Sequence, residues 1–379
     1  VFSFCLGGHF CIEVGNVEES EAAPLVFHYV LALVASLALR APSMSLEVSE
    51  VRLQTACLYG SANGNGICLT DEASVFFFDT AGSFKAKVSA KWPNFIEAYS
   101  GGFCVSRTLF DSTGKAKGEL PFVPYGMNSK GEVCRSISNG EKIQEAAYRT
   151  EDGVIHRIGP KYGFSDIDGY ENQAMEASKC WDIDDDGNVL FTAFEAHRES
   201  REFPKLPPYF GKGTKYVRLA LPSGEEDAYP LKFGFDGSII GTAYPFRTIF
   251  ATGWSGGFGV IDRSDAVVWH DRKPVKLVLG QAFQPKGDET GAAASGIDCS
   301  GGLQIGKVAY YGPDSSKPTR VLSILWVQRT AFDVQELVKA KGLQVKKLIG
   351  FVSPRTFAAI GNRGSESLLL LITVSVKSA

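Results

Sequence analysis

An all-β fold, a β-propeller of six or seven four-stranded blades with seven favoured, is predicted by three features of this sequence. The first is one turn-and-strand phrase written repeatedly. It reads Asn128-Ser-Lys-Gly131-Glu-Val-Cys134, Asp184-Asp-Asp-Gly187-Asn-Val-Leu190, Asp236-Gly237-Ser-Ile-Ile-Gly241, Asp298-Cys-Ser-Gly301-Gly-Leu-Gln-Ile-Gly306 and, degraded, Ser353-Pro-Arg-Thr-Phe-Ala-Ala-Ile-Gly361. A period of about fifty residues marks a repeat architecture, and in β-rich units it marks a propeller. The second feature is a succession of short β-branched and aromatic runs punctuated by Gly, Asn, Asp and Ser. The third is the lack of long amphipathic helical periodicity, which argues against alternating helices and strands around a parallel sheet.

Taken in order, seven units begin near residues 54, 95, 121, 176, 231, 294 and 346. In the first, strands are expected at Thr55–Tyr59, Ile67–Leu69, Ser74–Phe78 and Phe84–Val88. The second, Phe95 to Tyr125, reads as incomplete, which leaves the count between six and seven. Only Val334 to Lys341 has the pattern for a turn or two of helix. The last unit supplies three strands, Lys347–Val352, Thr356–Gly361 and Leu368–Val376. A four-stranded blade therefore lacks one, and Ser45 to Leu53 (SLEVSEVRL) is an orphan strand at the other end. Pairing the two removes an apolar exposed edge. The ring is thus expected to close by an N-terminal strand on the C-terminal blade.

Residues 1–43 are set apart from the repeat domain, 44–379. The run Leu25 to Leu39 is uncharged and about fifteen residues long, short of the roughly twenty that span a bilayer. With small residues at Ala35, Ser36, Ala38 and Ala41 it suits an export signal, although Glu13, Glu18, Glu19 and Glu21 precede it where basic residues are usual. The alternative is a hydrophobic helix packed on the domain.

Composition excludes several classes. The 44% hydrophobic and 12% aromatic content is that of a packed protein, and 41 glycines suit a chain of tight turns. A net charge of −3 with both signs interspersed gives no footprint for nucleic acid. Eight cysteines without a C-x-x-C pair make neither a disulfide scaffold nor a zinc site. Cys68, Cys104 and Cys134 follow glycine turns, where a small buried residue is wanted. A disulfide between neighbouring blades is the other reading.

Met127-Asn128-Ser-Lys-Gly131-Glu-Val-Cys-Arg-Ser136, then Glu145-Ala-Ala-Tyr148 and Asp152-Gly153-Val-Ile-His156, resembles one whole unit of the bacterial extracellular HAF repeat proteins. Gly296-Ile297-Asp298-Cys-Ser-Gly301 followed by Ile324-Leu-Trp326 is similar to a second. Phe332-Asp333-Val-Gln-Glu-Leu337, with Gly361-Asn362-Arg-Gly364 ahead of Leu368-Leu-Leu-Leu371, looks like the closing unit. The likeness covers most of Thr55 to Val376, though the tripeptide His-Ala-Phe itself does not occur. It implies an extracellular, cell-surface or periplasmic β-propeller-like array, and it carries no catalytic residues.

Chemistry-bearing patterns are few. Asp182, Asp184 and Asp186 with Gly187 have the first spacings of a calcium loop, but Leu190 and Ala193 stand where further ligands belong. Weak calcium binding or none is expected, and no other cofactor. Gly253-Trp-Ser255-Gly-Gly257 has the letters of a nucleophile elbow without the helix that must follow it. Phe210-Gly-Lys-Gly-Thr214 is too short to cradle phosphate and reads as a loop closure. Binding is expected instead from two aromatic loops, Arg198 to Lys215 and Tyr244 to Phe258, with Tyr209, Phe246, Phe250 and Trp254 as ligand-contacting residues.

The resulting expectation is a monomeric, non-enzymatic scaffold for a protein or carbohydrate ligand. It contacts no nucleic acid and has no membrane segment beyond an N-terminal anchor. The alternative is a polysaccharide hydrolase or lyase with carboxylates at the central channel. Two or more acids beside an Arg or His would mark that enzyme.

Overall fold

Each recurring glycine closes a hairpin, and the chemistry of that hairpin explains the repeated phrase. In the turns at Gly131, Gly187 and Gly237 the glycine N–H donates to the carbonyl three residues earlier, at 3.1, 3.0 and 3.0 Å. The glycine takes φ of 82°, 77° and 75°, a region that other residues enter only under strain. The Asn or Asp before it folds its side chain onto the turn. Asn128 Oδ1 accepts from Lys130 and Glu132 N–H, and Asp184 Oδ1 from Asp186 and Asn188 N–H. Gly131, Gly187, Gly237 and Gly301 thereby sit in the first hairpins of four successive four-stranded units, the last two of which a short parallel pairing joins into one sheet.

The computed structural model describes residues 2–6, 10–14, 44–138, 143–160, 175–176, 178–193, 207–225, 227–244, 263–313 and 317–376. It divides into two units, residues 44–375 and residues 1–43 with 376–379. In the smaller, Phe2–Leu6 and Phe10–Val14 form an antiparallel hairpin. The apolar run 25–39 lies outside the described residues. Among the described residues no helix is long and apolar enough to cross a membrane.

The larger unit is all-β, a succession of four-stranded antiparallel sheets in up-and-down order. Sheet I holds Tyr59–Asn63, Gly66–Thr70, Ser74–Phe78 and Phe84–Ser89. Sheet II holds Ile96–Tyr99, Gly102–Val105, Thr108–Phe110 and Ala116–Glu119. Sheet III holds Gly126–Met127, Val133–Ser138, Ile143–Arg149 and Ile155–Arg157, with Met175–Glu176 pairing parallel to its third strand. Sheet IV holds Ser178–Ile183, Val189–Ala193, Pro208–Lys212 and Lys215–Arg218. Sheet V holds Asp227–Phe233, Ile239–Tyr244, Arg263–His270 and Lys273–Lys276. Sheet VI holds Gly291–Ser300, Leu303–Tyr311, Arg320–Val327 and Thr330–Asp333. A short parallel pairing, Arg263 to Ala292 and Ser264 to Ala293, joins sheets V and VI. Sheet VII orders Gln344–Ser353, Thr356–Arg363, Glu366–Val376 and, outermost, Met44–Arg52. One helix, α1 (Val334–Lys339), follows sheet VI, capped by the Asp333 carboxylate accepting from Gln335 N–H.

Three details differ from the sequence reading. The first strand of sheet I is Tyr59–Asn63 rather than Thr55–Tyr59, because Asn63 and Gly66 pair across a two-residue turn and set the register from there. Sheet II is complete. Its strands are only three or four residues long, too short to leave an alternation in the sequence. The end of the expected loop 198–215 is strand, since Tyr209 to Lys212 pairs with Lys215 to Arg218, while residues 198–206 lie outside the described residues.

Consecutive sheets pack face to face through apolar clusters. Phe77 of sheet I stacks on Phe103 of sheet II at 4.9 Å. Cys134 and Tyr148 share a cluster with Cys180 and Phe191. Leu190 does so with Ala228 and Trp269, and Ile240 with Cys299 and Trp326. Sheet VII joins the same scheme at the other end of the chain, where Ile360 and Leu369 pack with Ile67 and Phe76 of sheet I. The described cysteines Cys57, Cys68, Cys104, Cys134, Cys180 and Cys299 are buried free thiols.

A second rule governs the strand after the turn. Gly241, Gly306 and Gly361 face β-bulges in the first strands of sheets V, VI and VII, between Pro230 and Lys232, Gly296 and Asp298, and Val345 and Lys347. A Cβ on Gly241 would press on Tyr229 O and lie 3.0 Å from Trp269 Cζ3. On Gly306 it would press on Ser295 O and lie 2.8 Å from Trp326 Cζ3. The glycine makes room for both the bulged backbone and the tryptophan. Gly241→Ala and Gly306→Ala should therefore each lower stability by ~2 kcal/mol, the usual cost of overpacking. Gly280→Ala, with nothing within 4 Å, serves as the neutral control in urea melts.

Candidate functional site

The bulges have a chemical consequence. An extra residue rotates the strand beyond it and re-aims the next side chain. In sheets IV, V and VI the residue closing the bulge is Asp182, Lys232 and Asp298. These three, with Glu97 from the first strand of sheet II, form one charged cluster. Lys232 Nζ donates to Asp298 Oδ2 at 2.8 Å and to the Ala62 carbonyl of sheet I at 3.0 Å. Glu97 Oε1 accepts from Asn63 Nδ2 at 2.7 Å.

Both aspartates act on a neighbouring sheet in the same way. Asp182 Oδ2 accepts from Phe233 N–H of sheet V at 2.9 Å, while its Oδ1 takes Ile183 N–H at 2.9 Å. Asp298 Oδ2 accepts from Phe351 N–H of sheet VII at 2.9 Å, and its Oδ1 takes Cys299 N–H at 2.8 Å. In each case the carboxylate of one sheet accepts an N–H from the first strand of the next. Gly350 leaves the room this needs, since a Cβ there would lie 2.6 Å from Ala62 O and 2.9 Å from Asp298 Oδ2.

Burial sets the electrostatics. Loss of hydration pushes the Asp182 carboxyl up to about 7, with Glu97 adding to the rise while the Phe233 N–H and Lys232 oppose it. Burial likewise raises Glu97 and Asp298, against the pull of Lys232 in each. Burial works against charge on Lys232 itself, but Asp298, Glu97 and Asp182 outweigh it and hold the ammonium above its ordinary range. The Lys232 side chain keeps 24% of its surface open while Asp298 keeps 2%, so solvent reaches the cluster from the lysine's side.

The expected site residues fall in different places. Phe246, Phe250 and Trp254, and the serine motif 253–257, lie outside the described residues. Tyr209 is a strand residue packed on Phe191 at 5.3 Å and Tyr216 at 5.7 Å, buried rather than presented by a loop. The calcium-like aspartates diverge. Asp182 faces sheet V, Asp184 is occupied by its own turn and by Asn188 Nδ2 at 2.8 Å, and Asp186 is exposed. Among the described residues no group of three or more His, Cys, Asp or Glu is placed to hold a metal ion. Glu97, Lys232 and Asp298 escaped the sequence reading. One signal was present: five residues before the turn glycines 187 and 237 stand Asp182 and Lys232, charges where an inner strand normally wants apolar residues.

No protein-family model matches the chain, and no curated protein does. Among solved structures it is similar to the tricorn protease, at 12% identity and a TM-score of 0.44, over 89% of this chain. It spans 36% of that protease chain. It is also similar to the β-propeller domain of the Trilobed protease from Pyrococcus furiosus, at 8% identity and a TM-score of 0.48, over 87% of this chain and 97% of that one. A third is the N-terminal domain of Nup159, at 8% identity and a TM-score of 0.44, over 88% and 96%.

Two outcomes follow from the cluster. Lys232→Met leaves acids facing one another without their cation and should cost about 3 kcal/mol in a urea melt, the low end for breaking a buried pair because the lysine is partly solvated. The second concerns pH. A carboxyl raised in the folded state holds a proton that the unfolded chain has lost, so its contribution falls as pH rises from about 4 through 7. Glu97 and Asp298 have the same sign, whereas the lowered acids Asp79, Asp111, Asp152 and Glu289 act only at lower pH. Tm should fall by several degrees between pH 5 and 8, and Asp182→Asn should flatten that slope. A slope unchanged in the variant would remove Asp182 as its source.

Proposed function

We propose that residues 44–376 form a seven-bladed β-propeller acting as a binding scaffold without catalysis. The observation that carries the non-catalytic reading is the use made of the central acids. Both oxygens of Asp182 and of Asp298 accept backbone N–H groups, and Lys232 is held by Asp298 and Ala62. Groups engaged in this way pin sheets together and are poorly placed to exchange protons with a substrate.

The propeller reading rests on contacts that jump along the chain. Lys232 of sheet V touches Ala62 of sheet I across 170 residues. Sheet VII shares its apolar cluster with sheet I, just as sheets I to V each do with the next. Sheets in a single open row would not bring the fifth to the first. Ring closure by Met44–Arg52 beside Glu366–Val376 is supported by Leu53 N–H donating to Ser367 O at 2.9 Å, by Arg363 pairing with Glu50 at 2.7 Å, and by the Arg52–Glu366 pair. An extracellular, cell-surface or periplasmic location is part of the proposal. It draws on the apolar run 25–39 and on the resemblance to HAF repeat proteins, which also makes a protein or carbohydrate the expected ligand.

A second reading has one observation in its favour. A carboxyl raised to about 7 beside two further acids and a lysine is a combination that polysaccharide-cleaving enzymes can use. Incubation with a panel of neutral and acidic polysaccharides separates the two. The scaffold releases no new reducing ends or unsaturated products, whereas products that vanish in Asp182→Asn would establish the enzyme. Closure has its own test in truncation. Removal of residues 1–43 should leave the melt unchanged. Removal through Leu53 should lower Tm by more than about 5 °C, because it exposes the last strand of sheet VII. Equal melts for the two truncations would discard the closing strand.

A further inference from the structure

A second assembly lies on the first two strands of sheets III, IV and V, beside the charged cluster, and the pinning contacts do not use it. Tyr125 stands immediately before the first strand of sheet III, and its ring is 40% exposed. Two cations lie against that ring, Arg135 with Cζ at 5.3 Å and Lys179 of sheet IV with Nζ at 5.4 Å from the centroid. Lys179 Nζ is also 4.9 Å from the Trp181 ring. Trp181 then meets Tyr229 of sheet V at 5.0 Å, and Tyr229 meets Tyr244 at 5.3 Å. Six half-buried or exposed side chains from three sheets thus make a continuous row, cationic at one end and purely aromatic at the other.

We propose that this row is a carbohydrate-binding surface for an acidic oligosaccharide, with a uronate seated at Tyr125, Arg135 and Lys179 and the following sugars running along Trp181, Tyr229 and Tyr244. This rests on the scaffold reading and names its ligand class.

Three arguments lead there. First, the row is stiff. Trp181 Nε1 donates to Thr192 Oγ1 at 3.3 Å, Arg135 Nη1 donates to Val123 O at 2.6 Å, and each ring is braced by the next. A ligand that meets rigid rings loses little extra entropy on binding. Second, Arg135 makes that single hydrogen bond, and its remaining guanidinium donors have no partner among the described residues. A planar fork of donors beside an aromatic face suits a carboxylate attached to a flat ring, which satisfies ion pairing and stacking with one rigid unit. Third, charge is graded along the row. Burial raises the Tyr229 phenol to about 12, with Asp227 assisting, so it stays neutral and offers an O–H rather than a charge. Asp182, beside Trp181 on its strand, is turned toward Phe233 N–H, and Asp227, which acts on Tyr229, is buried. One charged subsite followed by neutral aromatic ones matches an oligosaccharide better than a uniformly charged polymer.

The experiment is titration of the full chain with a homogeneous oligogalacturonate, followed by calorimetry and tryptophan fluorescence, in parallel with the methyl-esterified oligomer of the same length. The ester keeps the ring and removes the charge. The unesterified oligomer should bind, with quenching of fluorescence, and the ester at least tenfold more weakly. Arg135→Ala should weaken binding of the acidic oligomer about tenfold or more, the scale of a lost charge-assisted hydrogen bond, and Arg135→Lys should restore part of it. Lys179→Ala should act in the same direction, and a thermal melt of each variant checks that it folds. Equal binding of acid and ester, equal binding by the folded Arg135→Ala variant, or no binding of either oligomer by the wild type would each overturn the uronate site. None of those results touches the scaffold reading. That reading fails separately if the oligomer is bound and cleaved.

Discussion

The β-bulge in the first strand, faced by a glycine in the second, is the constraint on which the rest of this structure depends. A regular antiparallel pair would point successive side chains alternately at the two neighbouring sheets and leave the inner ladder unbroken. Skipping one residue in sheets IV, V and VI breaks that alternation at the same height. It turns a charged side chain, Asp182, Lys232 or Asp298, toward the neighbouring sheets. Without Gly241 and Gly306 opposite, the bulged carbonyls of Tyr229 and Ser295 would have no room. In sheets V and VI glycine, bulge and charge are therefore one device, repeated with opposite charges, while in sheet IV Phe191 stands opposite the bulge.

What that device holds together is decided by electrostatics more than by area. Apolar clusters between neighbouring sheets supply the bulk of the stabilisation, but such clusters are local and say little about which distant sheet meets which. The contacts of Lys232 do say so, since they reach sheets VI and I from sheet V. Burying an ammonium and three carboxyls is expensive, and only part of the cost is recovered by pairing. The excess of acids over bases is what drives Asp182 to retain a proton near neutrality. A cluster of this kind contributes specificity of arrangement at some expense in stability.

Much of the fold was legible because its signals are local. Turn glycines, the Asn or Asp before them and short apolar strands follow from backbone sterics within a few residues, and they located the sheets to within about five residues of where they begin. The strand pairing of Met44–Arg52 was legible for a different reason, an unpaired edge at one end of the chain and an unpaired strand at the other. The charged cluster was not legible as a cluster. Glu97, Asp182, Lys232 and Asp298 are spread over two hundred residues, and each alone resembles an ordinary strand or turn residue. The sequence pattern pointed instead at Asp182, Asp184 and Asp186 as a set. Their spacing is real, but the bulge turns the first toward sheet V and the Gly187 turn uses the second to close itself. Tyr209 misled for a similar reason, since a Pro-rich approach (Pro204, Pro207, Pro208) hid a paired strand.

The same bulges also explain why the aromatic row and the charged cluster are neighbours with different roles. Trp181 is the residue that the bulge in sheet IV leaves unpaired, next to Asp182, which the bulge redirects. One side chain is turned inward and engaged by backbone; the other lies along the Tyr229 ring. Pinning the strands through Asp182 and Lys232 fixes Trp181 and Tyr229, because each sits within three residues of a pinned position. A recognition surface built on such strands inherits their rigidity, and that is worth more to a weak, stacking ligand than additional contact area. Loosening the cluster should accordingly degrade the order of the row before it unfolds the sheets, so in the proposed scaffold the buried charges would serve binding at one remove.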